Sequence, residues 1–405
     1  MKGAHPGGII GKFGKRVSVI PLYYNLRSLK VRRTTVVLTV LGIALVTMVV
    51  VVLLSLISGV RRSLELAADS RVWIVLSRGI GSESESYISH QQLDILRSRP
   101  EIAIDGGSSA LISPEVVTPF NAAIKRPASQ FYPATLRGVR GIARRVHQNV
   151  RLIEGRWPQP GREEMVIGGK LLAKFPELRP GATFRYGRRN WTIVGVLADR
   201  GSVRESEFWA DLDVLEQDAH FENGFSSFHV VLKPEMGESF RNALTADDRI
   251  TVEAINEQEF YAQQAEVADR LRVLALLVSA IVGVGAAFGG MNTMYAAVAR
   301  RAREVGVLRS LGFQRGSVLM SFLIESEMLA LAGGVTGMIV ALLLISASGL
   351  SRRLLAVGPI TFSSRFSLSA CALGILAALL IGALGGLLPA LRAARMPVAE
   401  ALREA

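Results

Sequence analysis

The sequence predicts a membrane protein with four transmembrane α-helices, arranged one plus three, and a large α+β extracytoplasmic domain. Four stretches without a charged residue are 24 to 27 residues long: Thr34–Val60, Val273–Ala299, Met328–Ser351 and Phe366–Leu391. About 20 apolar residues suffice to cross a bilayer as a helix, in which every backbone amide is paired within its own segment. The first two stretches are separated by 212 residues of soluble composition, 61–272, and this insert is predicted to be the outer domain.

The distribution of basic residues predicts which side faces the cytoplasm. The chain has a net charge of +13, but residues 61–272 hold 28 basic and 29 acidic residues. Residues 1–33 carry eight Lys/Arg and no acid, and residues 300–316 carry five Arg against one Glu. Basic residues accumulate in short cytoplasmic segments, so both termini are predicted to be cytoplasmic and 61–272 periplasmic or extracellular. Because the charge lies beside the spans, it argues against a nucleic-acid partner.

The elements follow from these two patterns. The predicted order is a basic, amphipathic N-terminal segment (1–33), the first span (34–60), the outer domain (61–272), the second span (273–299), a charged cytoplasmic helix or loop (300–316), an interfacial elbow with the third span (317–351), a short outer loop (352–365), the fourth span (366–391) and a cytoplasmic tail (392–405). The first span is too long, and begins too far along the chain, for a secretory signal. Within the N-terminal segment, Val17–Arg33 is expected to lie against anionic membrane lipids, whereas the Gly-rich residues 1–16 are expected to form a flexible basic tail.

The two ends of the outer domain share a strand–helix–strand pattern. The predicted strands and helices are Val72–Leu76, Ser89–Arg97 and Ala110–Val117 at one end, and Phe228–Leu232, Glu238–Leu244 and Ile250–Ile255 at the other. Together they predict a split βαβ sheet. Residues of about 118–225, with short runs such as Glu164–Ile167 and Trp191–Leu197, predict an inserted β-rich lobe. Asn256–Arg272 is predicted to be a polar helix that continues into the second span.

The sequence contains no recognisable catalytic or metal-binding motif. Its five histidines, His5, His90, His147, His220 and His229, have no metal-ligand spacing, and the single cysteine, Cys371, has no partner. No G-x-x-x-x-G-K-[ST] motif is present to hold nucleotide phosphates. We therefore expect no catalytic residue, no metal and no cofactor in this chain, and any ATPase to be another chain.

Small residues recur at helix-packing spacing in the last three spans. The pairs are Gly285 and Gly289, Gly333 and Gly337, and Gly382 and Gly386. Glycines four residues apart let two helix backbones approach closely, either within one bundle or between two subunits. The sequence leaves both alternatives open. Glu325 and Glu327, ahead of the third span, are expected to reach water or Arg partners.

The cytoplasmic segment Met291–Phe313 carries the most specific pattern. Arg301, Glu304 and Leu308 fall on one helical face, which is typical of a short charged docking helix. The residues that match a known motif are Met291, Asn292, Met294, Arg301, Arg303, Glu304, Val305, Gly306, Arg309, Leu311 and Gly312. Further matches lie at Phe322–Glu325, Gly333–Gly334, Pro389–Ala390, Arg392–Arg395, Pro397–Arg403, Tyr24–Arg27 and Trp191–Leu197. In these residues the chain resembles the MacB/FtsX-type permeases of ATP-binding-cassette (ABC) systems over nearly its whole length.

The resemblance implies a permease that works with partners. Such permeases dimerise with a second copy or a paralogue, and each protomer docks one separate ATPase, which binds ATP and Mg²⁺. A periplasmic adaptor is a further candidate partner. The residues implied in ATPase coupling are Arg300, Arg301, Arg303, Glu304, Gly306, Arg309 and Gly312. Many relatives have Glu where this chain has Arg300, so charge pairing at that position differs.

Three functions remain open from the sequence. The first is a bacterial inner-membrane permease that passes ATP-driven motion to its outer domain, for efflux or for lipid, lipoprotein or peptide handling. The second is an FtsX-like regulatory permease that activates a cell-wall hydrolase without transport. The third is an ATP-independent membrane anchor or receptor, which the charged loop disfavours. The size of the insert favours the first.

Overall fold

The computed structural model describes residues 33–106, 109–123, 131–218, 224–347, 356–357, 360–361 and 367–398. The predicted N-terminal interfacial segment, most of the short outer loop and the end of the tail lie outside these residues. The chain divides into two compact units. The membrane unit comprises the described parts of Met1–Leu54, Val273–Leu344 and Phe366–Ala405, and the outer unit comprises those of Ser55–Arg272 and Ile345–Arg365.

The helices and strands are numbered here in chain order. The helices are α1 (Arg33–Glu65), α2 (His90–Arg97), α3 (Ala143–Val146), α4 (Gly169–Lys174), α5 (Leu212–Asp218), α6 (Gly237–Thr245), α7 (Glu257–Arg300), α8 (Ala302–Ser310), α9 (Arg315–Ala347) and α10 (Leu368–Arg395). The strands are β1 (Val72–Ser77), β2 (Ile88–Ser89), β3 (Ile112–Ala123), β4 (Phe131–Val139), β5 (Arg151–Gly155), β6 (Glu164–Gly168), β7 (Thr183–Tyr186), β8 (Arg189–Ala198), β9 (Glu207–Asp211), β10 (Gly224–Phe225), β11 (Ser227–Val231), β12 (Val252–Asn256), β13 (Ala356–Val357) and β14 (Ile360–Thr361). Two short 3₁₀ turns cover Glu83–Glu85 and Val203–Ser206.

Four helices in the described part of the chain are long and apolar enough to cross a membrane, as the sequence predicts: α1, α7, α9 and α10. Helix α7 begins at Glu257, so the predicted polar helix and the second span form one element. Helix α9 runs from Arg315 to Ala347 without interruption. The elbow predicted at 317–327 is therefore not a separate element, since no proline interrupts the helical hydrogen bonds there.

The outer unit begins with the predicted split βαβ arrangement. The strand order β12-β1-β11-β3 is antiparallel at each step. The unit β1-α2-β3 leaves a gap that β11 fills, and the unit β11-α6-β12 leaves a gap that β1 fills. Strand β1 is apolar on both faces and buried from Val72 to Leu76, as a central strand should be. This prediction is confirmed.

The inserted β-rich lobe shares a strand with this sheet. The first half of β3 pairs with β11, and the second half, from Val116, pairs with β4. The order continues β4-β9-β6-β8-β5, and β7 pairs with β8. The two regions separated by sequence pattern thus form one ten-stranded sheet, because β3 is twelve residues long and serves both. A single apolar cluster, which includes Phe228, Trp191 and Phe208, runs through both.

Candidate functional site

The short helix α8, between α7 and α9, is set apart by sharp changes of backbone direction at both ends. Helix α7 ends at Arg300, and Arg301 precedes α8 with φ −108° and ψ 12°, outside helical geometry. After α8, Gly312 has φ +98°, a conformation that glycine adopts without steric cost. Gly312 therefore allows the chain to turn between α8 and α9.

Arg301 anchors the start of α8 to α9. Its Nη1 donates to Glu325 Oε2 at 2.8 Å, and its Nε donates to Glu304 Oε2 at 3.1 Å. The Glu325 side chain is fully buried and that of Arg301 is 11% exposed. The guanidinium also lies 5.2 Å from the ring centre of Phe322. Glu325 therefore reaches an Arg partner, as the sequence predicts.

The inner face of α8 is apolar or small. Ala302, Val305 and Gly306 are buried, and Val305 packs in an apolar cluster with Val318 and Phe322 of α9. Gly306 thus lies on the packed face of α8 rather than on its outer surface.

Arg309 anchors the end of α8 to α10. Its Nη1 donates to the carbonyl oxygens of Ala394 at 3.2 Å and Met396 at 3.0 Å. These carbonyls lie at the C-terminal end of α10, where helical backbone acceptors lack intrahelical partners and a cation is favoured. Arg309 therefore serves the internal structure of the membrane unit.

The outer face of α8 carries charged and apolar side chains side by side. Arg303 is exposed, the Glu304 side chain is 55% exposed, and Val307 and Leu311 are 44% and 72% exposed. Arg300, just before α8, is also exposed. The seven residues predicted to couple to an ATPase thus fall into internal anchors (Arg301, Gly306, Arg309), exposed charges (Arg300, Arg303, Glu304) and a turn (Gly312).

Four of the six packing glycines contact a neighbouring helix of the same chain. A Cβ added at Gly333 or Gly337 would lie 2.8 Å from Ile43 Cβ or 2.3 Å from Ala44 O. Both glycines therefore allow α9 to approach α1. The glycines of α10 do the same against α9: an added Cβ would lie 2.4 Å from Ala330 Cβ at Gly382, and 2.5 Å from Ser326 Cβ at Gly386.

The remaining pair, on α7, has a different environment. At Gly285 and Gly289, an added Cβ would meet no atom of the described chain within 4 Å. The neighbouring side chains of Ile281 and Phe288 are 74% and 64% exposed. Of the two alternatives left open by the sequence, packing within the bundle applies to α9 and α10 but not to this face of α7.

A cluster of buried charges in the outer unit was missed by sequence reasoning. Arg137, on β4, is 2% exposed and binds three carboxylates. The Nη1 and Nη2 atoms of Arg137 donate to Glu83 at 3.0 and 3.1 Å. Nη1 also donates to Glu115 at 2.7 Å. Nε and Nη2 donate to Glu207 at 2.9 and 3.0 Å. A buried Arg side chain is stable only where carboxylates pair with its charge. The three carboxylates here come from elements far apart in sequence, so the sequence does not reveal that they meet.

Two buried histidines complete this cluster. His147 Nε2 lies 2.7 Å from Glu115 Oε1, and His229 Nε2 lies 2.8 Å from Glu83 Oε1. Burial lowers the pKa of His147, and the nearby carboxylate of Glu115 only partly opposes this. For His229 burial acts in the same direction, but Glu115 and Glu83 outweigh it and raise the pKa. The spacing of His147 and His229 along the chain does not predict that they join the same buried cluster.

A second buried group joins the ends of α1 and α7 to the sheet. Arg204 Nη1 donates to Ala67 O at 2.6 Å, just after α1, and Arg204 Nη2 pairs with Glu257, the first residue of α7. Glu257 Oε2 also accepts from the backbone amide of Asp69 at 2.8 Å. Arg204 further contacts Asp199 at 3.3 Å. These residues of the outer unit form a buried ionic junction where both helices begin or end.

Two family models together match most of the chain. The model of the MacB-like periplasmic core domain matches residues 36–258. The model of the FtsX-like permease C-terminal region matches residues 276–398. The first covers more than half of the 405 residues, and the second includes α8 and the helices to which it is anchored.

Curated relatives agree with these matches. The uncharacterized ABC transporter permease YknZ of Bacillus subtilis is 30% identical over 190 residues, which are 44% of this chain and 46% of that protein. The macrolide export ATP-binding/permease protein MacB of Hahella chejuensis is 30% identical over 247 residues, 58% of this chain and 36% of that protein. The chain thus spans less than half the length of either relative.

Among solved structures, the periplasmic region of MacB from Actinobacillus actinomycetemcomitans matches 49% of this chain and 94% of that one. The identity is 14% and the TM-score 0.37, a likeness too distant to add weight. The assignment depends on the two family models, which match on either side of the boundary between the outer domain and the membrane helices that follow it. The chain belongs to the MacB/FtsX family of ABC transporter permeases.

Proposed function

We propose that this chain is a non-catalytic, force-transmitting permease subunit that docks a separate ATPase through the outer face of α8. ATP and Mg²⁺ are bound by that partner. Two permease chains form a dimer, and movement driven by the ATPase reaches the outer domain, which acts on an amphiphile, lipid, lipoprotein or peptide outside the inner membrane.

The environment of α8 is the observation that carries this proposal. Arg301 and Arg309 fasten its two ends to α9 and α10, so a force applied to α8 reaches two spanning helices directly. Its outer face presents Arg303 and Glu304 next to Val307 and Leu311. Charged groups around an apolar centre are the usual composition of a protein interface.

The continuity of α7 supports the second half of the proposal. This helix carries a spanning segment and also begins at the buried ionic junction of Arg204 and Glu257 in the outer unit. A rigid helix fixed by a buried ion pair transmits displacement better than a flexible linker does.

The test is a detergent pull-down of the full chain from its own cells, with each partner identified and ATPase activity measured. The variants are Arg303→Glu combined with Leu311→Asp, and Arg185→Glu as a charge-reversal control on the exposed part of β7. We expect an ABC ATPase to accompany the wild type and the control, and to be lost in the α8 variant.

Other outcomes assign other functions. No ATPase in any sample would contradict the proposal and favour an anchor or receptor. An ATPase together with a cell-wall hydrolase held by the outer domain would favour the regulatory alternative. An ATPase retained by the α8 variant would place docking elsewhere on the cytoplasmic side.

A further inference from the structure

Two buried histidines and the carboxylate of Glu115 lie close together in the outer unit, and the carboxylate of Glu83 adjoins one of the histidines. The ligand-capable atoms of Glu115, His147 and His229 all lie within 4.8 Å of one another. His229 Nε2 is 3.6 Å from Glu115 Oε2 and 2.8 Å from Glu83 Oε1. Four donors around a tetrahedral zinc ion lie about 3.3 Å apart. The atoms of Glu115, His147 and His229 would reach that spacing by drawing together from separations of up to 4.8 Å.

The charge of the cluster favours a cation. Glu83, Glu115 and Glu207 surround the single guanidinium of Arg137. The three carboxylates exceed the guanidinium by two negative charges, which the proton held by His229 offsets only in part, and uncompensated charge inside the protein is costly. A metal ion takes the place of that proton when it binds. A divalent ion neutralises this charge.

The surroundings supply the second shell that a metal site requires. Ligating carboxylates and imidazoles are oriented by outer hydrogen bonds. Glu115 accepts from Ser113 at 2.8 Å and from Arg137 at 2.7 Å, and Glu83 accepts from Ser227 at 2.7 Å.

The ring of His229 is turned in the way that a metal ligand requires. His229 is fully buried, and its Nδ1 has no hydrogen-bond partner within the described residues. That atom faces Glu257 Oε1 at 3.6 Å. A metal-bound imidazole commonly directs its other N–H at a carboxylate, and this orientation leaves Nε2 facing the cluster.

A cavity adjoins the cluster at Glu83. It has a volume of about 130 Å³ and is lined by Glu83, Arg137 and Glu207 together with Tyr261 and Gln264. Glu83 thus belongs both to the wall of the cavity and to the cluster.

We propose that Glu83, Glu115, His147 and His229 form a binding site for a divalent transition-metal ion of the zinc type. Two imidazoles and two carboxylates suit zinc and its spectroscopic substitute cobalt. The ligands come from the 3₁₀ turn at Glu83, from β3, from the segment after α3 and from β11. The ion therefore fastens the inserted lobe to the split βαβ sheet. This inference does not depend on ATPase docking.

The experiment measures metal in the full chain, purified in detergent with a tag that contains no histidine. Protein stripped with a chelator is reloaded with Zn²⁺ or Co²⁺ and analysed by elemental mass spectrometry and visible absorption. The variants are His147→Gln and His229→Gln. The matched control is His90→Gln, which removes an exposed histidine that pairs with Glu216 at 3.0 Å.

We expect one tightly held metal ion per chain in the wild type and the control, with the visible band of low-coordinate cobalt. Each buried-site variant should bind Co²⁺ at least about tenfold more weakly. A wild type without bound metal, or variants that bind as the wild type does, would overturn the proposal. Loss of binding in His90→Gln would assign the ion to the surface instead.

Circular dichroism shows whether each variant is folded. If both buried-site variants fail to fold, X-ray absorption of the Zn²⁺-loaded wild type decides the question. Scattering from two imidazoles supports the site, and a spectrum without imidazole contradicts it.

Discussion

Arg301 and Arg303 are two positions apart in the segment between α7 and α9, yet their environments differ. Arg301 is directed inward to the buried carboxylate of Glu325, whereas Arg303 lies on the outer face of α8. In the sequence both are positively charged residues of one short loop, and both were predicted to couple to an ATPase. The difference arises because α9 turns back against α8 and brings Glu325 to one side of it.

This difference predicts opposite behaviour in two alanine variants. Arg301→Ala removes the guanidinium that pairs with the buried carboxylate of Glu325, and breaking a buried ion pair typically costs about 3–5 kcal/mol of stability. We expect a clearly lowered melting temperature in detergent for Arg301→Ala. For Arg303→Ala we expect stability within about 0.5 kcal/mol of the wild type but weaker ATPase binding.

A double variant provides the control for this prediction. Adding Glu325→Gln to Arg301→Ala also removes the buried carboxylate charge and should restore part of the melting temperature. Equal melting temperatures for Arg301→Ala and Arg303→Ala would show that the Arg301–Glu325 pair contributes nothing to stability.

Glu164, at the start of β6, predicts a pH dependence of the outer domain. Its oxygens accept from Arg156 Nη1 and Nη2, both at 2.6 Å, and the Arg156 hydrogen bonds lower the pKa of Glu164 to about 2. A carboxyl with a lowered pKa in the folded state stabilises the fold above its unfolded pKa of about 4.3. That contribution is lost as the pH falls towards 2.

The measurement is the melting temperature of the full chain as a function of pH. We expect Glu164→Gln to be less stable than the wild type at pH 7, and the difference to shrink between pH 4.5 and 2. A constant difference across that range would mean that the ion pair does not contribute. Arg162, more loosely placed at 3.9 Å from Glu164, offers the control variant Arg162→Gln, for which we expect little change.

At the scale of helices, the paired glycines differ in whether another helix of the chain packs against them. Gly337 has the backbone of α1 directly against it, whereas Gly289 has no described atom within reach of an added Cβ. Both belong to the same small-xxx-small pattern in the sequence. The pattern indicates close approach but does not identify the helix that approaches.

Substitution of Gly337 or Gly289 by leucine should disturb two different contacts. Gly337→Leu should disrupt the packing of α9 on α1, because an added Cβ would lie 2.3 Å from Ala44 O. We expect a low yield of monodisperse protein for this variant. Gly289→Leu should fold normally but weaken the proposed dimer, as judged by chemical cross-linking in membranes. A Gly289→Leu variant that still cross-links as the wild type does would place the dimer interface on another face.

At the scale of the whole molecule, the feature that matters most is the length of α7. Its 44 residues correspond to about 66 Å of helix, roughly twice the hydrocarbon thickness of a bilayer. The same helix therefore serves as a membrane span and as a structural part of the outer domain.

Interrupting α7 should stop the transmission of movement from the ATPase to the outer domain, while the membrane unit and the outer unit both stay folded. Inserting Gly-Gly-Ser-Gly after Arg272 breaks the helix where the two units meet in sequence. We expect the ATPase still to bind, and outer-domain movement on nucleotide binding to disappear. The readout is the distance between spin labels at Arg185→Cys in the two protomers, in a Cys371→Ala background.

An insertion of four alanines at the same point is the matched control, since it lengthens α7 but keeps it helical. A nucleotide-dependent distance change that survives the glycine insertion would contradict transmission through α7. A change absent from the uninterrupted chain as well would contradict movement of the outer domain.

The sequence by itself determined the four spanning helices, the split βαβ arrangement and the family. These follow from local patterns: charge-free length, alternation in short strands and the motif around α8. They are properties of neighbouring residues, so they can be read without knowing which elements meet. The pairing of β3 with both β11 and β4 cannot be read from such local patterns, because hydrogen-bonded strand partners come from distant segments of the chain.

Only the tertiary structure decided which charges are buried and which helix covers each glycine. Arg137, His147 and His229 look like ordinary polar residues in the sequence, and nothing near them predicts burial. Their carboxylate partners come from segments far apart in the chain, and a buried charge is stable only where such partners converge. Likewise Arg301 became an anchor and Arg303 remained exposed because of where α9 packs. Local pattern thus determined the elements, and long-range packing and electrostatics determined the sites.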